Sequence, residues 1–494
     1  MLLHHFSSFD TTPQPNLVLL RKERRMSLLN RFLPDRSLKW FALIGLSVAM
    51  IGGCSKKKAT EVADSNTQSD QESAPSKDSE STQPEQKNGL AENLFELMKK
   101  AESQNSTGEY DAAFATWKTI HKEVADEYGV DGWQTVSAEL AMSAARQRTK
   151  MSTDDQKLVA QLTQLTGSAA QAIDKQNYNA ARLDIEKAAG ISTRLWGKES
   201  YVSANINYIR AQCYLGLGLH GRAIAVLNDV LSLRISLTGL FHPDVESTLE
   251  LLAKSNSILR NHASAQQSLE KLVEVSRTLW GKESEAYANR CNDLAVAYNN
   301  DQKAALAMQW FNKAHAIRSK LFGNESLQVG LVHLNRGIAH VQLKEFEKAQ
   351  QDLAKAHAIF KDKKLNSIDG SWAVLLDQLG TVALVRKQNS DGQKYFSELA
   401  DYWKAKEGET HIEYGKSLFK LSVSIGNQAK YSEAEPIMKR AISIFENKLG
   451  FNSKMLHQPL TTYARLLEKM GVEQQAKQIR DRAVRLAGFQ ELPE

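Results

Sequence analysis

From about Gly89 onward, apolar residues return every three and four positions, the spacing that sets one face of an α-helix against a core. Ala, Leu, Lys, Glu and Gln dominate, and only Pro243, Pro436 and Pro459 interrupt before the last residues. No run of period-two alternation marks a strand. The pattern predicts an all-α protein.

Two rows of small residues lie on this pattern. Ala181, Ala223, Ala265, Ala307 and Ala349 stand 42 residues apart; one inserted residue then gives Gly392, and Ala434 and Ala476 resume the step. Twelve positions before each is a second small residue: Ala169, Ala211, Ala253, Ala295, Gly337, Gly380, Ser422 and Ala464. One small residue on each of two antiparallel helices, A and B, lets their backbones approach; a large side chain there would cost about 1–3 kcal/mol. One turn beyond the later row come Ile185, Leu227, Leu269, Phe311, Leu353, Phe396 and Met438, on the same face of helix B. Gly197, Gly239, Gly281, Gly323, Gly408 and Gly450 fall where helix B should end. The hexapeptide Leu195-Trp196-Gly197-Lys198-Glu199-Ser200 itself returns unchanged 84 residues later as Leu279–Ser284.

Small residues twelve apart in a repeated helix–turn–helix resemble the tetratricopeptide repeat family, and the 42-residue period resembles its kinesin-light-chain type. The closest motifs are Tyr431-Ser432-Glu433-Ala434-Glu435-Pro436, Arg440-Ala441 and Leu449-Gly450. Gly239-Leu240-Phe241-His242-Pro243-Asp244 resembles the family's inter-repeat loop. The resemblance implies a right-handed solenoid of antiparallel helix pairs, with eight units over residues 157–487 and a tail at 488–494. Residues 89–156 would hold one more unit, marked by Ala101, Ala113 and Gly129, and an extra helix from about Trp133 to Lys150. The Leu365–Ser371 loop lacks its glycine and carries the insertion, which predicts an altered crossing or hinge. Arg480 takes the place of the large apolar residue in the last unit, as a solvent-facing cap would.

The N-terminus carries a different signal. Residues 1–53 have seven Lys/Arg against three Asp/Glu, a net of +4 within the chain's +6. Arg31, Arg36 and Lys39 precede an apolar run from Trp40 to Ile51 that is short for a membrane span of about 20 residues. A basic segment, an apolar core and small residues before a cut describe a signal peptide over 1–53, with Met26 as an alternative start. Ile51-Gly52-Gly53-Cys54 resembles the lipobox of bacterial lipoproteins, which implies lipid on Cys54; Ser55 after it implies sorting to an outer membrane. Residues 54–88 are rich in Ser, Gln, Glu and Lys and hold no aromatic, which predicts a disordered tether.

Beyond residue 53 the charge is nearly balanced, which is no electrostatic footprint for nucleic acid, since that would need a clustered basic face. Cys213 and Cys291 fall on helices two units apart and are expected to be buried thiols, not a bridge. There is no HExxH, CxxC, GxxxxGK[ST] or GxSxG motif, so no catalytic residue, metal or cofactor is assigned. His315 and His357 are one repeat position, 42 apart. His333 and His340 lie seven apart on one helix with no obvious carboxylate nearby in sequence. Trp196 and Trp280, on the last turn of helix B, are expected to pack against the following helix.

In the family helix A lines a concave face. There the resemblance places Asn205, Tyr208 and Gln212, then Asn289, Asn292 and Asn299, and then Asn335. Asn292-Asp293-Leu294-Ala295 resembles the Asn-Asn-Leu-Ala of kinesin-light-chain repeats, whose asparagines grip a peptide backbone; Asp293 departs from it, and Asn335 matches the second Asn one unit later. An amide side chain both donates and accepts, which suits a peptide's N–H and C=O. The leading expectation is a non-catalytic, membrane-anchored scaffold on the periplasmic side of an envelope, holding a protein segment in this groove. The alternatives are a structural subunit of an envelope assembly packing through convex faces and, more remotely, a small-ligand receptor or enzyme.

Overall fold

A computed structural model of the protein describes residues 84–362 and 370–488. Among the described residues there are nineteen α-helices and no strand. They are α1 (Pro84–Ser106), α2 (Tyr110–Tyr128), α3 (Trp133–Arg148), α4 (Thr153–Asp174), α5 (Tyr178–Trp196), α6 (Tyr201–Gly216), α7 (His220–Thr238), α8 (Pro243–Ile258) and α9 (His262–Trp280). There follow α10 (Glu285–Asn300), α11 (Ala304–Phe322), α12 (Leu327–Gln342), α13 (Phe346–Asp362), α14 (Gly370–Val385), α15 (Asn389–Glu407), α16 (Ile412–Gly426), α17 (Tyr431–Leu449), α18 (His457–Lys469) and α19 (Glu473–Gly488). The chain divides into two compact units between Lys282 and Glu283. Even-numbered helices from α4 are the A helices and odd-numbered ones from α5 the B helices.

The repeated hexapeptide is a stop and a start. Trp196 and Trp280 are the last residues of their B helices, and Gly197 and Gly281 follow at φ +84° and +86°, a region costly for any residue with a Cβ. Ser200 and Ser284 then cap the next A helices, accepting the backbone N–H of Ser203 and Tyr287. Positive φ recurs at the A-to-B turns, at 58–61° for Gln176, Arg260, Gln302, Lys344, Lys387 and Ala429 and at 74° and 76° for Gly218 and Gly471.

In the C-terminal unit the small and large rows interlock. A Cβ added to Gly337 would lie 2.6 Å from the Leu353 side chain, and one added to Gly380 would lie 2.6 Å from the Phe396 ring. The core of that unit runs through Leu353, Phe360, Trp372, Phe396, Met438, Phe445 and Leu467. In the N-terminal unit one cluster gathers Leu162, Ala181, Ile185, Trp196 and Ile206. A separate cluster of Leu94, Met98, Trp117, Ile120, Val124, Ala138, Ala141 and Ala145 joins α1, α2 and α3.

Several expectations meet the structure here. Cys213 and Cys291 are buried free thiols, and burial pushes both up to about 11. Arg480 is half exposed and pairs with Glu468. Helix α1 begins at Pro84, inside the stretch read as tether, because proline is pre-organised for the first helical position even where the sequence is polar. Residues 1–83, with Cys54, and residues 365–369 of the insertion loop lie outside the described residues. No described helix is long and apolar enough to cross a membrane.

Candidate partner-binding surface

Five of the seven residues assigned to a groove prove to be knitted to their own chain by two devices. In the N-terminal unit the first is Arg234, buried near the end of α7. Its Nη2 donates to Asn205 Oδ1 (2.8 Å), and its Nη1 donates to the Asp244 carbonyl (2.8 Å) and Thr248 Oγ1 (2.7 Å). The guanidinium also lies 4.3 Å from the Tyr208 ring centroid. One B-helix cation thus ties together two A helices, α6 and α8. Gln212 is half-buried on α6.

In the C-terminal unit Arg318 repeats the device 84 residues on. Its Nη2 donates to Asn289 Oδ1 (2.7 Å) and its Nη1 to the Gln328 carbonyl (3.1 Å). The second device is an amide pair, Asn335 Nδ2 donating to Asn292 Oδ1 across 3.0 Å. Asn205, Tyr208, Asn289, Asn292 and Asn335 are therefore structural contacts first. Of the seven, Asn299 is the one with a buried side-chain atom, Oδ1, that has no hydrogen-bond partner among the described residues. The arginines were missed in the sequence, although their 84-residue spacing matches that of the hexapeptide.

Beside Arg234, Asp244 accepts from the Tyr201 hydroxyl. Burial acts to raise the Asp244 carboxyl, but Arg234, His242 and Tyr201 together hold it below the usual range. Ser137, His242 and Asp244 have the makings of a nucleophilic triad, with Ser137 Oγ 2.8 Å from His242 Nε2. The tautomer is wrong for it. His242 Nδ1 accepts the Asp244 backbone N–H as the cap of α8, so the ring proton is on Nε2 and points at the serine. The imidazole cannot take the Ser137 proton.

His333 and His340 do have carboxylates, contrary to the sequence reading, on the following turn and helix. His333 Nδ1 lies 2.8 Å from Asp352 Oδ1, His340 Nδ1 lies 2.6 Å from Glu345 Oε2, and Arg336 Nε is 3.2 Å from Asp352 Oδ2. His315 Nε2 reaches His333 Nε2 at 3.3 Å. With Asp352 accepting the Nδ1 proton, His333 Nε2 is the acceptor and His315 the donor. Burial opposes ionisation of Asp352, yet His333, Arg336 and His340 hold its carboxyl low. Among the described residues no group of three or more His, Cys, Asp or Glu is arranged to hold a metal.

Burial first, then His333 and Arg336, hold His315 down to about 4 from the ordinary 6.5. The unfolded chain takes a proton near pH 6.5 that the folded unit refuses until about pH 4, so this stability is complete above that window and lost as pH falls through it. His357 is lowered in the same direction, by burial and then Lys361 and Lys394. The denaturation midpoint of the C-terminal unit should fall between pH 7.5 and pH 5, and His315→Gln should flatten part of that slope. A midpoint constant over the range would contradict the burial of these rings.

Residues 285–362 match the tetratricopeptide repeat family. The apo form of RapI is similar over 80% of this chain and 97% of its own, at 14% identity and a TM-score of 0.51, a likeness of fold. The nearly identical repeats of a Podosopora anserina protein described as a kinesin light chain align with 43% of this chain and 99% of theirs, at 18% identity and a TM-score of 0.38. Aspartyl phosphate phosphatase F from Bacillus subtilis aligns with 81% of this chain and 96% of its own, at 13% identity and a TM-score of 0.43. No curated protein matches the sequence. The described fold is an all-helical tetratricopeptide-repeat solenoid, and the Trp196 and Trp280 positions mark the ends of its B helices.

Proposed function

We propose that this protein is a non-catalytic interaction scaffold that holds an extended protein segment on its A-helix face. One observation supports the reading above others: in the C-terminal unit Asn299 Oδ1 is buried on the A helix α10 with no hydrogen-bond partner among the described residues. A buried amide atom left unpaired costs about 1–3 kcal/mol, a cost that a peptide N–H would remove. The repeat match at 285–362 adds support, since stacked repeats expose long surfaces to partners.

The scaffold is further proposed to be exported and lipid-anchored through Cys54, facing the periplasm from an outer membrane, with residues 54–88 as tether. In-cell crosslinking of the full chain should capture a protein partner whose recovery drops about tenfold in Asn299→Ala, the loss of roughly one buried hydrogen bond. Unchanged recovery in Asn299→Ala and Gln212→Ala would end the A-face assignment. Incorporation of a fatty-acid probe, abolished by Cys54→Ala, tests the anchor separately.

A further inference from the structure

Helix α3 stands outside the repeat pattern and presents two stripes. Ala138, Ala141 and Ala145 join the α1–α2 core. Ser137, Ala144 and Arg148 lie on the other stripe and meet the repeat stack, while Trp133 at the head of the helix packs against both. The Trp133 ring sits edge-on to His242 (6.1 Å) and to Trp280 (6.3 Å). Ser137 Oγ is 2.8 Å from His242 Nε2, and Gln147 Nε2 donates to the Leu195 carbonyl (3.1 Å). The Arg148 guanidinium lies 5.7 Å from the Trp196 ring centroid.

These contacts touch three successive B-to-A junctions, at Trp196, His242 and Trp280. From Trp133 to Arg148 a helix rises about 22 Å. Two steps between neighbouring helices of a stack come to about 16–20 Å. One helix of this length therefore spans two repeats, which is also the 84-residue separation of the two hexapeptides. Trp196 and Trp280 stand at the two ends of α3, and His242 stands between them.

The seam is unlike a core. Its one apolar residue from α3 besides Trp133 is Ala144, packed against the cluster around Ile185 and Trp196. Among the described residues no carboxylate lies within ion-pair distance of the buried Arg148, its Nε has no hydrogen-bond partner, and neither has Trp196 Nε1. Burial lowers the Arg148 guanidinium to about 10, so at neutral pH it stays charged, with no counter-charge among the described residues. Meanwhile α1–α3 possess their own core of Leu94, Met98, Trp117, Ile120 and Val124. A bundle with its own core, docked through polar and aromatic contacts and an unpaired buried cation, is built to come off whole.

We propose that the junction edge formed by Trp196, His242 and Trp280 is a helix-docking surface, that α3 occupies it in cis, and that a partner helix of matching chemistry displaces α3. The matching helix has an aromatic residue, a small hydroxyl four residues on, a small apolar residue eleven on and a basic residue fifteen on, all on one stripe. This surface is distinct from the A-helix face and does not depend on it.

The test uses the full chain. Ser137→Glu places a charge in the buried contact with His242, while Trp280→Ala removes one post without adding charge. In both, hydroxyl-radical labelling of Trp196 and His242 should rise several-fold, more in Ser137→Glu, while amide protection within α1–α3 stays within about twofold of the wild type. A fluorescent peptide of residues 131–150 should bind Ser137→Glu saturably and the wild type at least tenfold more weakly, and its Trp133→Ala form should bind neither. Unchanged labelling in both variants, or loss of protection in α1–α3 together with α4–α6, would show α3 to be part of one core and overturn the proposal. Failure of the peptide to bind Ser137→Glu would overturn the docking surface itself.

Discussion

Asp352→Ala should destabilise the C-terminal unit by about 3–5 kcal/mol, the loss expected when one member of a buried ionic cluster is removed. Asp352 faces His333, Arg336 and His340 at once, and its carboxylate fixes the His333 proton on Nδ1. Without it Arg336 loses a counter-charge, and His333 is free to turn its proton toward His315, where two donors then meet. The isosteric Asp352→Asn can still accept from His333 and should cost less, about 1–3 kcal/mol. Chemical denaturation followed by amide exchange in α11–α13 reads both. Equal losses for the two variants would show that charge, not shape or the retained acceptor, is what Asp352 supplies.

Arg234→Ala should cost the N-terminal unit a similar about 3–5 kcal/mol. It strips the buried Asp244 of its cation and unpairs Asn205 Oδ1, Thr248 Oγ1 and the Asp244 carbonyl in one step. It also uncovers the Tyr208 ring, so A-face residues should lose order before the helices do. Arg318→Ala removes two hydrogen bonds of the same kind and should cost less. Amide exchange confined to α6–α8 for the first variant and to α10–α12 for the second is the expected pattern. Stability unchanged in Arg234→Ala would mean that the asparagines are oriented by something other than the cation.

The helix pairs were legible in the sequence because close packing leaves few choices at each position. Only a small residue tolerates Phe396 against Gly380, and only glycine sits easily at φ +84° after Trp196. Such constraints act within about forty residues and return with the period. The partners of the A-helix asparagines were hidden because they arrive from elsewhere: Arg234 lies 29 residues after Asn205, and Asn335 lies 43 after Asn292. Asp352 was hidden likewise, 19 residues beyond His333 on the next helix. The extra helix was visible as a break in register, but its seat on His242, 105 residues away, was not. Trp196 packs toward α6 as expected and also faces Arg148; Trp280 donates its Nε1 proton to Glu246 of the preceding A helix and meets Trp133.

The seam between α3 and the junction edge also sets an order of events during synthesis. Each helix pair closes over a short loop and can form as soon as its own residues have left the ribosome. Trp133 leaves early, but Trp280 follows 147 residues later, so α3 must wait beside an incomplete seat while two further repeats are made. Closing so long a span carries a larger entropy cost than any contact within a pair. Docking of α3, begun at Leu195 and Trp196, is therefore complete only when Trp280 is in place, and it reports that the first three repeats have formed.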